Sequence, residues 1–533
     1  MKQSLRSLFG SVLLAASLLT FGCGGGGGGG GGLLSPDSGW EGINGPLDFS
    51  QLTPPTGFTT SGWPVAPDAT SISINSFSSN STAAILLANF TSSSQTIILS
   101  ANQPFTASFV STPRRNVRNG NYDRASQFHA GLRSLERKNS EIPHDTWSSS
   151  FRGSKRLSTD ETTLVFKVYN GVDSNNVTGK LYRSESLPGS TGGYLRFYVD
   201  QTIASNSTVT RYYDDIISGW NNIYEIMHNS FGEELQAGDN TTGIDLGKDI
   251  YVLITPIMNQ FDDRLAGFFY SGDLYPPERI TPSITNQKKI FYLNFRMDGP
   301  MRLTPEIMQS TMAHEFQHMI FYSKRIKKGL PSNDDWLNET LSAYAESACG
   351  FKVTNEMNQS KATLIQQYFE SMNQVPLVQN DGWGSEAQYG QVALFGEWLA
   401  EAYPSAIKAL YASSKTGMEA VEGVTVKSFE TIYVEWMLAM YLNTPNDTND
   451  YEFNDIEWNI PYRFGPGLDS VTLTGPINNI LNNQILNANL SPRSITLMPL
   501  ACCMLEFKGG GDGNALQIGF QMNNGITIFA LKK

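Results

Sequence analysis

The stretch Thr304-Pro305-Glu306-Ile307-Met308-Gln309-Ser310-Thr311-Met312-Ala313-His314-Glu315-Phe316-Gln317-His318 carries a helix start and two imidazoles four residues apart. Thr304 as N-cap with Pro305 at the first helical position predicts a helix running to about Lys324. On it His314 and His318 leave one face about 6 Å apart along the axis, so both rings can turn toward a single ion. Glu315 sits about 100° around, beside such an ion rather than on it. Asp334 or Asp335 starts a second predicted helix, where Glu339 and Glu346 are seven apart and share a face. Catalytic zinc takes three protein ligands and keeps a fourth position open, which makes His314, His318 and Glu339 the expected Zn(2+) ligands. Glu346 is then placed to accept the other N–H of a ligating ring. The bland alternative is a solvated or core helix pair that binds nothing. Met297, Met301, Met308, Met312 and Met319 surround this stretch, but methionines at helical spacing are core filler, and the His/Glu set favours zinc over copper.

Outward from this stretch, apolar runs at Thr163–Tyr169, Tyr194–Val199, Ile250–Ile254 and Lys289–Asn294 read as strands, with a helical pattern over Arg211–Phe231 and again from Glu386 to about Leu442. Short alternating pieces such as Ser71-Ile72-Ser73-Ile74 and Ala515-Leu516-Gln517-Ile518 indicate β modules at both ends. The expected class is α+β: a mixed sheet with active-site helices over 161–445, a small β domain over 38–112 and a C-terminal β module over 446–533. Between them, 113–160 is rich in Arg and Lys and holds an amphipathic helix from Asp123 to Lys138. That segment reads as a solvated linker or as a pro-like segment shielding the site.

The chain has 533 residues, 40% hydrophobic, with a formal net charge of −12. An acidic globular body of this kind argues against nucleic-acid binding, which needs a basic field. Lys2 and Arg6 precede an apolar run from Leu8 to Phe21, too short to span a bilayer comfortably, so residues 1–22 read as an export signal. Gly22-Cys23 resembles a relaxed bacterial lipobox; an ordinary secretory signal is the alternative. Gly24–Gly32 cannot hold one backbone conformation, so 23–37 is expected to tether a lipid-bearing Cys23 to the folded body. The expected location is therefore the bacterial cell envelope, at the outer membrane or cell surface, with the membrane as a partner through that lipid. Of the remaining thiols, a bridge from Cys349 to Cys502 or Cys503 is open.

His314-Glu315-x-x-His318 followed by Glu339 within Trp336-Leu337-Asn338-Glu339 resembles the gluzincin clan of zinc peptidases, in which the last Glu is the third ligand. The longer runs Ala313–Ile320, Trp336–Glu346, Ala266–Tyr275 and Ile290–Leu293 resemble the hyicolysin-like family, over roughly residues 160 to 445. Thr340 departs from the Gly that commonly follows that Glu. The resemblance implies a zincin-like fold and a secreted or surface endopeptidase acting on protein or peptide substrates, and a monomer is expected.

Glu315 is the expected general base, taking a proton from water and later passing it to the leaving amine. Tyr389 is the expected oxyanion donor, because related clans place a Tyr or His at the start of the following helix; a tyrosine simply packed there is equally consistent. Tyr224 and His228 are rivals, whereas His129 and His144 receive no role. An aminopeptidase is a second enzymatic reading, although the Gly-x-Met-Glu-Asn strand of such enzymes is missing. A third is an inactive peptidase-like lipoprotein that works as an adhesin or binding protein.

Overall fold

The computed structural model describes residues 59–60, 71–75, 77–78, 81–102, 105–107, 122–142, 162–189, 192–204, 209–239, 241–261, 265–297, 302–353, 359–379, 384–442, 453, 456, 460–463, 470–473, 493–509, 515–522 and 526–532. The leader, Cys23 and its tether, His144 and Met301 lie outside them. The described chain is α+β. Among the described residues no helix is long and apolar enough to cross a membrane.

Five strands come first: β1 Thr59–Thr60, β2 Ser71–Ile74, β3 Thr82–Asn89, β4 Gln95–Ala101 and β5 Phe105–Ala107. Helix α1, Tyr122–Ser140, follows. Then come β6 Thr163–Tyr169, β7 Ser174–Ser186, β8 Tyr194–Asp200, α2 Thr210–Ser218, α3 Trp220–Phe231, β9 Ile250–Thr255, β10 Gly267–Phe269 and β11 Ile290–Asn294. These strands make one mixed sheet in the order β10-β11-β9-β8-β7-β6, with β9 parallel to both neighbours. The single helical pattern expected over Arg211–Phe231 is two helices, α2 and α3, separated by Gly219.

The helical half comprises α4 Pro305–Lys327, α5 Asp335–Ala348, α6 Gln359–Phe369, α7 Glu386–Ala402, α8 Ala406–Ala412, α9 Gly417–Thr425 and α10 Phe429–Leu442. Thr304 caps α4 as its sequence predicts, accepting from Ile307 N at 3.3 Å. Ser385 and Gln388 form a capping box on α7, which fixes the first turn that carries Tyr389. Two glycines let α7 approach its neighbours closely. A Cβ on Gly390 would stand 2.0 Å from Leu364 O, and one on Gly396 2.8 Å from Thr340 O. Thr340 itself is fully buried and bonds Trp336 O at 2.8 Å, so the room for its side chain comes from Gly396 across the helix interface. Met308, Met312 and Met319 are buried in the same apolar cluster as α3, α5, α7 and α10, as filler.

The chain ends with β12 Ile460–Arg463, β13 Ser470–Leu473, β14 Arg493–Leu497, β15 Cys502–Lys508, β16 Leu516–Met522 and β17 Ile526–Lys532. The expectation of separate N-terminal and C-terminal β modules is corrected here. β3 lies between β15 and β17, and β4 between β14 and β16, so the two ends build shared sheets. The sheets β1-β17-β3-β15-β5 and β14-β4-β16-β2 face each other over Ile85, Leu87, Leu99, Leu505, Ile518 and Ile528. β3 is buried on both faces, its alternate residues Leu86 and Ala88 joining the main cluster, which accounts for the unbroken apolar run at Ala83–Leu87. Cys502 and Cys503 point to opposite faces of β15, one into each cluster, and no disulfide joins any described cysteines.

Candidate metal centre

α4 and α5 run side by side and bring three side chains to one point. His314 Nε2 lies 3.2 Å and His318 Nε2 3.7 Å from the same Glu339 oxygen, Oε2. One potential ligand atom from each of the three falls within 4.8 Å of the others. Donors bound at about 2.1 Å around a tetrahedral ion stand about 3.4 Å apart, close to the two separations from Glu339 Oε2. The group can hold a metal ion.

The surroundings orient the ligands. His314 Nδ1 lies 2.9 Å from Glu346 Oε1, an obligate acceptor when ionised, so Nδ1 carries a proton and Nε2, facing Glu339, is the nitrogen a metal would take in place of a proton. Ser310 holds the other Glu346 oxygen at 2.7 Å, and buried Lys361 stands 3.5 Å from that oxygen. Burial works against charge on His314, but its bonds to Glu339 and Glu346 outweigh that and carry its pKa up to about 10. His318 moves the other way, down to about 3, through burial and then the neighbouring Arg133 guanidinium. Against burial, the hydrogen bond from His314 and the Arg133 guanidinium hold Glu339 well below the usual carboxylate range.

Glu315 points into the gap between α4 and the edge strand β10, whose Phe269 N–H bonds its carboxylate. Burial above all, and the Glu339 carboxylate to a lesser extent, raise it to about 7, a range suited to proton transfer near neutrality. Tyr389, from α7, keeps its hydroxyl buried beside Glu339, Glu315, Arg133 and Asp335. Burial and the nearby carboxylates push it well above its usual pKa, so it remains a donor. The two rivals are turned elsewhere. His228 bonds Glu234 at 2.7 Å and packs on Tyr224 and Phe316, and Tyr224 lies flat against Phe316.

Of the two readings of 113–160, the solvated linker fails for α1: Leu132, Arg133 and Glu136 are all buried. Arg133 Nη1 lies 2.8 Å from His318 Nδ1 and 2.6 Å from Glu136, and its Nε 3.6 Å from Glu339. Glu136 accepts from Asn338 Nδ2 at 3.0 Å, and Asn338 Oδ1 in turn lies 3.2 Å from His318 Nδ1. His129, given no role from sequence, packs its ring 5.8 Å from that of Tyr389. Arg133 and Glu136 were missed because charged residues in a basic, polar segment read as solvated, and Asn338 because its partners lie on other helices. The available signal was the apolar strip Phe128, Leu132 and Leu135 on the same predicted helix.

No protein-family model matches this chain, and no curated protein matches it.

Proposed function

We propose that this chain is a zinc-dependent endopeptidase with a zincin-like, gluzincin-type site, resembling the hyicolysin-like family. The observation that carries the reading is the convergence of His314, His318 and Glu339 on one point with the Glu315 carboxylate beside it. Those three residues would hold zinc, which would supply Lewis acidity, polarising a carbonyl oxygen and lowering the pKa of a water toward neutrality. Glu315 accepts the proton of the attacking water and delivers it to the departing amine. The Tyr389 hydroxyl is the donor for the developing oxyanion. β10 is an edge strand whose outward Phe269 N–H already meets Glu315, so an extended peptide added along that edge would run past the base. Export with a lipid on Cys23 would place this activity on proteins of the envelope or beyond it.

The deciding experiment compares the wild type with Glu315→Gln on casein, each with and without a chelator. Wild-type cleavage that the chelator abolishes, with a variant that keeps zinc and does not cleave, is the expected result. Equal cleavage by both proteins would remove Glu315 from the role of base.

A further inference from the structure

α1 lies across the cleft that a substrate would have to enter. On one side, Phe128 meets Phe268 of β10 at 5.1 Å, Asn139 Nδ2 bonds Ser271 Oγ at 3.1 Å, and Tyr275 donates to Asn139 O at 3.0 Å. On the other, His129 packs against Tyr389 of α7, and Arg137 pairs with Asp335 at the start of α5. With α1 in this position Glu315, His318 and Glu339 are only 4%, 2% and 1% exposed. A peptide bond cannot approach Glu315 until the helix moves.

Arg133 gives the helix a chemical hold on the ligands as well as a steric one. A guanidinium has donors only, so at 2.8 Å it requires His318 Nδ1 to accept, which leaves the ring proton on Nε2. That is the nitrogen facing Glu339 Oε2, and protonated it has no lone pair for a metal. Asn338 Oδ1, 3.2 Å from the same Nδ1, offers the opposite arrangement: accepting from Nδ1–H, it would free Nε2. The Asn338 amide is held in that sense by its Nδ2 bond to Glu136. His314 carries no such conflict, since its Nδ1 faces Glu346 Oε1 and its Nε2 faces Glu339 Oε2, both acceptors, and no donor requires its Nδ1 to accept. His318 is therefore the ligand at which two hydrogen-bonding partners demand different tautomers. The guanidinium also lies near Glu339 Oε1, so it and a divalent cation would compete for one carboxylate and repel each other at close range.

We propose that α1 is an internal plug of the metal cleft, and that Arg133, by holding His318 in its non-ligating tautomer, sets docking of α1 and binding of the metal against each other. This rests on reading His314, His318 and Glu339 as a zinc site. Linkage makes the opposition reciprocal: zinc weakens the hold on α1, and loosening α1 tightens zinc. The apolar anchor of the helix, Phe128 and Leu132, sits in the cluster with Tyr169, Phe268 and Tyr292, so it can be weakened without touching a ligand.

The test uses the full chain and two readouts that do not require catalysis: zinc affinity by chelator competition, and amide hydrogen exchange over residues 127–140. Zinc should accelerate exchange across that helix in the wild type. Arg133→Met should tighten zinc on the order of tenfold, the size of one charge-assisted hydrogen bond, and Leu132→Ala should tighten it severalfold. Zinc binding by Arg133→Met alone, with none by the wild type, would support the same conclusion. Equal zinc affinity in all three proteins with unchanged exchange would overturn the plug while leaving the zinc site standing. Failure of every protein to bind zinc would overturn both. Should Arg133→Met fail to fold, Leu132→Ala decides alone, and unchanged zinc affinity in it overturns the proposal.

Discussion

Leu505 on β15 and Glu339 on α5 are buried alike, at 0% and 1% exposure, in surroundings of opposite character. Leu505 lies among Ile85, Leu87, Leu99 and Ile528, where burial removes apolar surface from water and any compact packing of the right volume serves. Glu339 lies among two imidazoles, a guanidinium and a second carboxylate, where burial is costly unless each charge meets a partner. The sandwich stabilises the chain, whereas the cleft draws on that stability to hold groups that would rather be in water.

That contrast can be broken first at Glu315. Glu315→Gln should lower peptide hydrolysis by about 10³-fold with zinc content unchanged, measured as cleavage rate and metal content on one preparation. Activity within a few fold of wild type would reduce the cleft to a structural one. On the other side, Leu505→Ala should cost about 2 to 5 kcal/mol in denaturant unfolding while leaving zinc affinity where it was. A parallel loss of zinc would mean that the two regions are not separable.

A buried charge cluster outside the cleft also predicts a pH dependence that the apolar sandwich lacks. Glu234 is buried, which alone would raise its pKa, yet the Lys289 ammonium and the His228 hydrogen bond bring it down to about 2. A depressed folded-state pKa gives stability that is complete above the unfolded value near 4.5 and is lost as pH falls toward 2. The loss should amount to roughly 3 kcal/mol over that window. Glu234→Gln should flatten this part of the stability profile, and Leu505→Ala should shift it without changing its shape. The smallest effect is expected at Glu346→Gln, which weakens the acceptor for His314 Nδ1–H and should lower zinc affinity by about 10 to 100-fold with little change in folding stability. Unchanged affinity would show that Ser310 and Lys361 organise that carboxylate for packing alone.

Much of the cleft was legible because its geometry is local. A helix repeats every 3.6 residues, so His314, His318 and Glu315, and likewise Glu339 and Glu346, have their mutual directions set by spacing along two short segments. Thr304-Pro305 announces where the first of those segments begins, and its cap forms as read. The strands of the central sheet were legible for the same reason, each being a run of apolar residues whose character does not depend on its partner.

Pairing between distant segments was not legible. The strand pattern of Ser71–Ile74 or Leu516–Met522 says that each is half-buried, and nothing in either says that they bond one another, as they do. Among the described residues, the strands of the two ends alternate within each sheet, so each end covers apolar faces of the other. The position of α1 belongs to the same class. Arg133 and Glu136 on a polar helix look solvated until Phe128 and Leu132 find the far face of the sheet, which carries the charged side of the helix into the cleft. The sequence by itself determined which faces of α4 and α5 carry the residues that could hold a metal, because helical periodicity is an intrinsic property of the backbone. Tertiary structure alone decided that the two ends of the chain share one sandwich and that His318 meets both Arg133 and Asn338, because those contacts join segments the backbone does not connect.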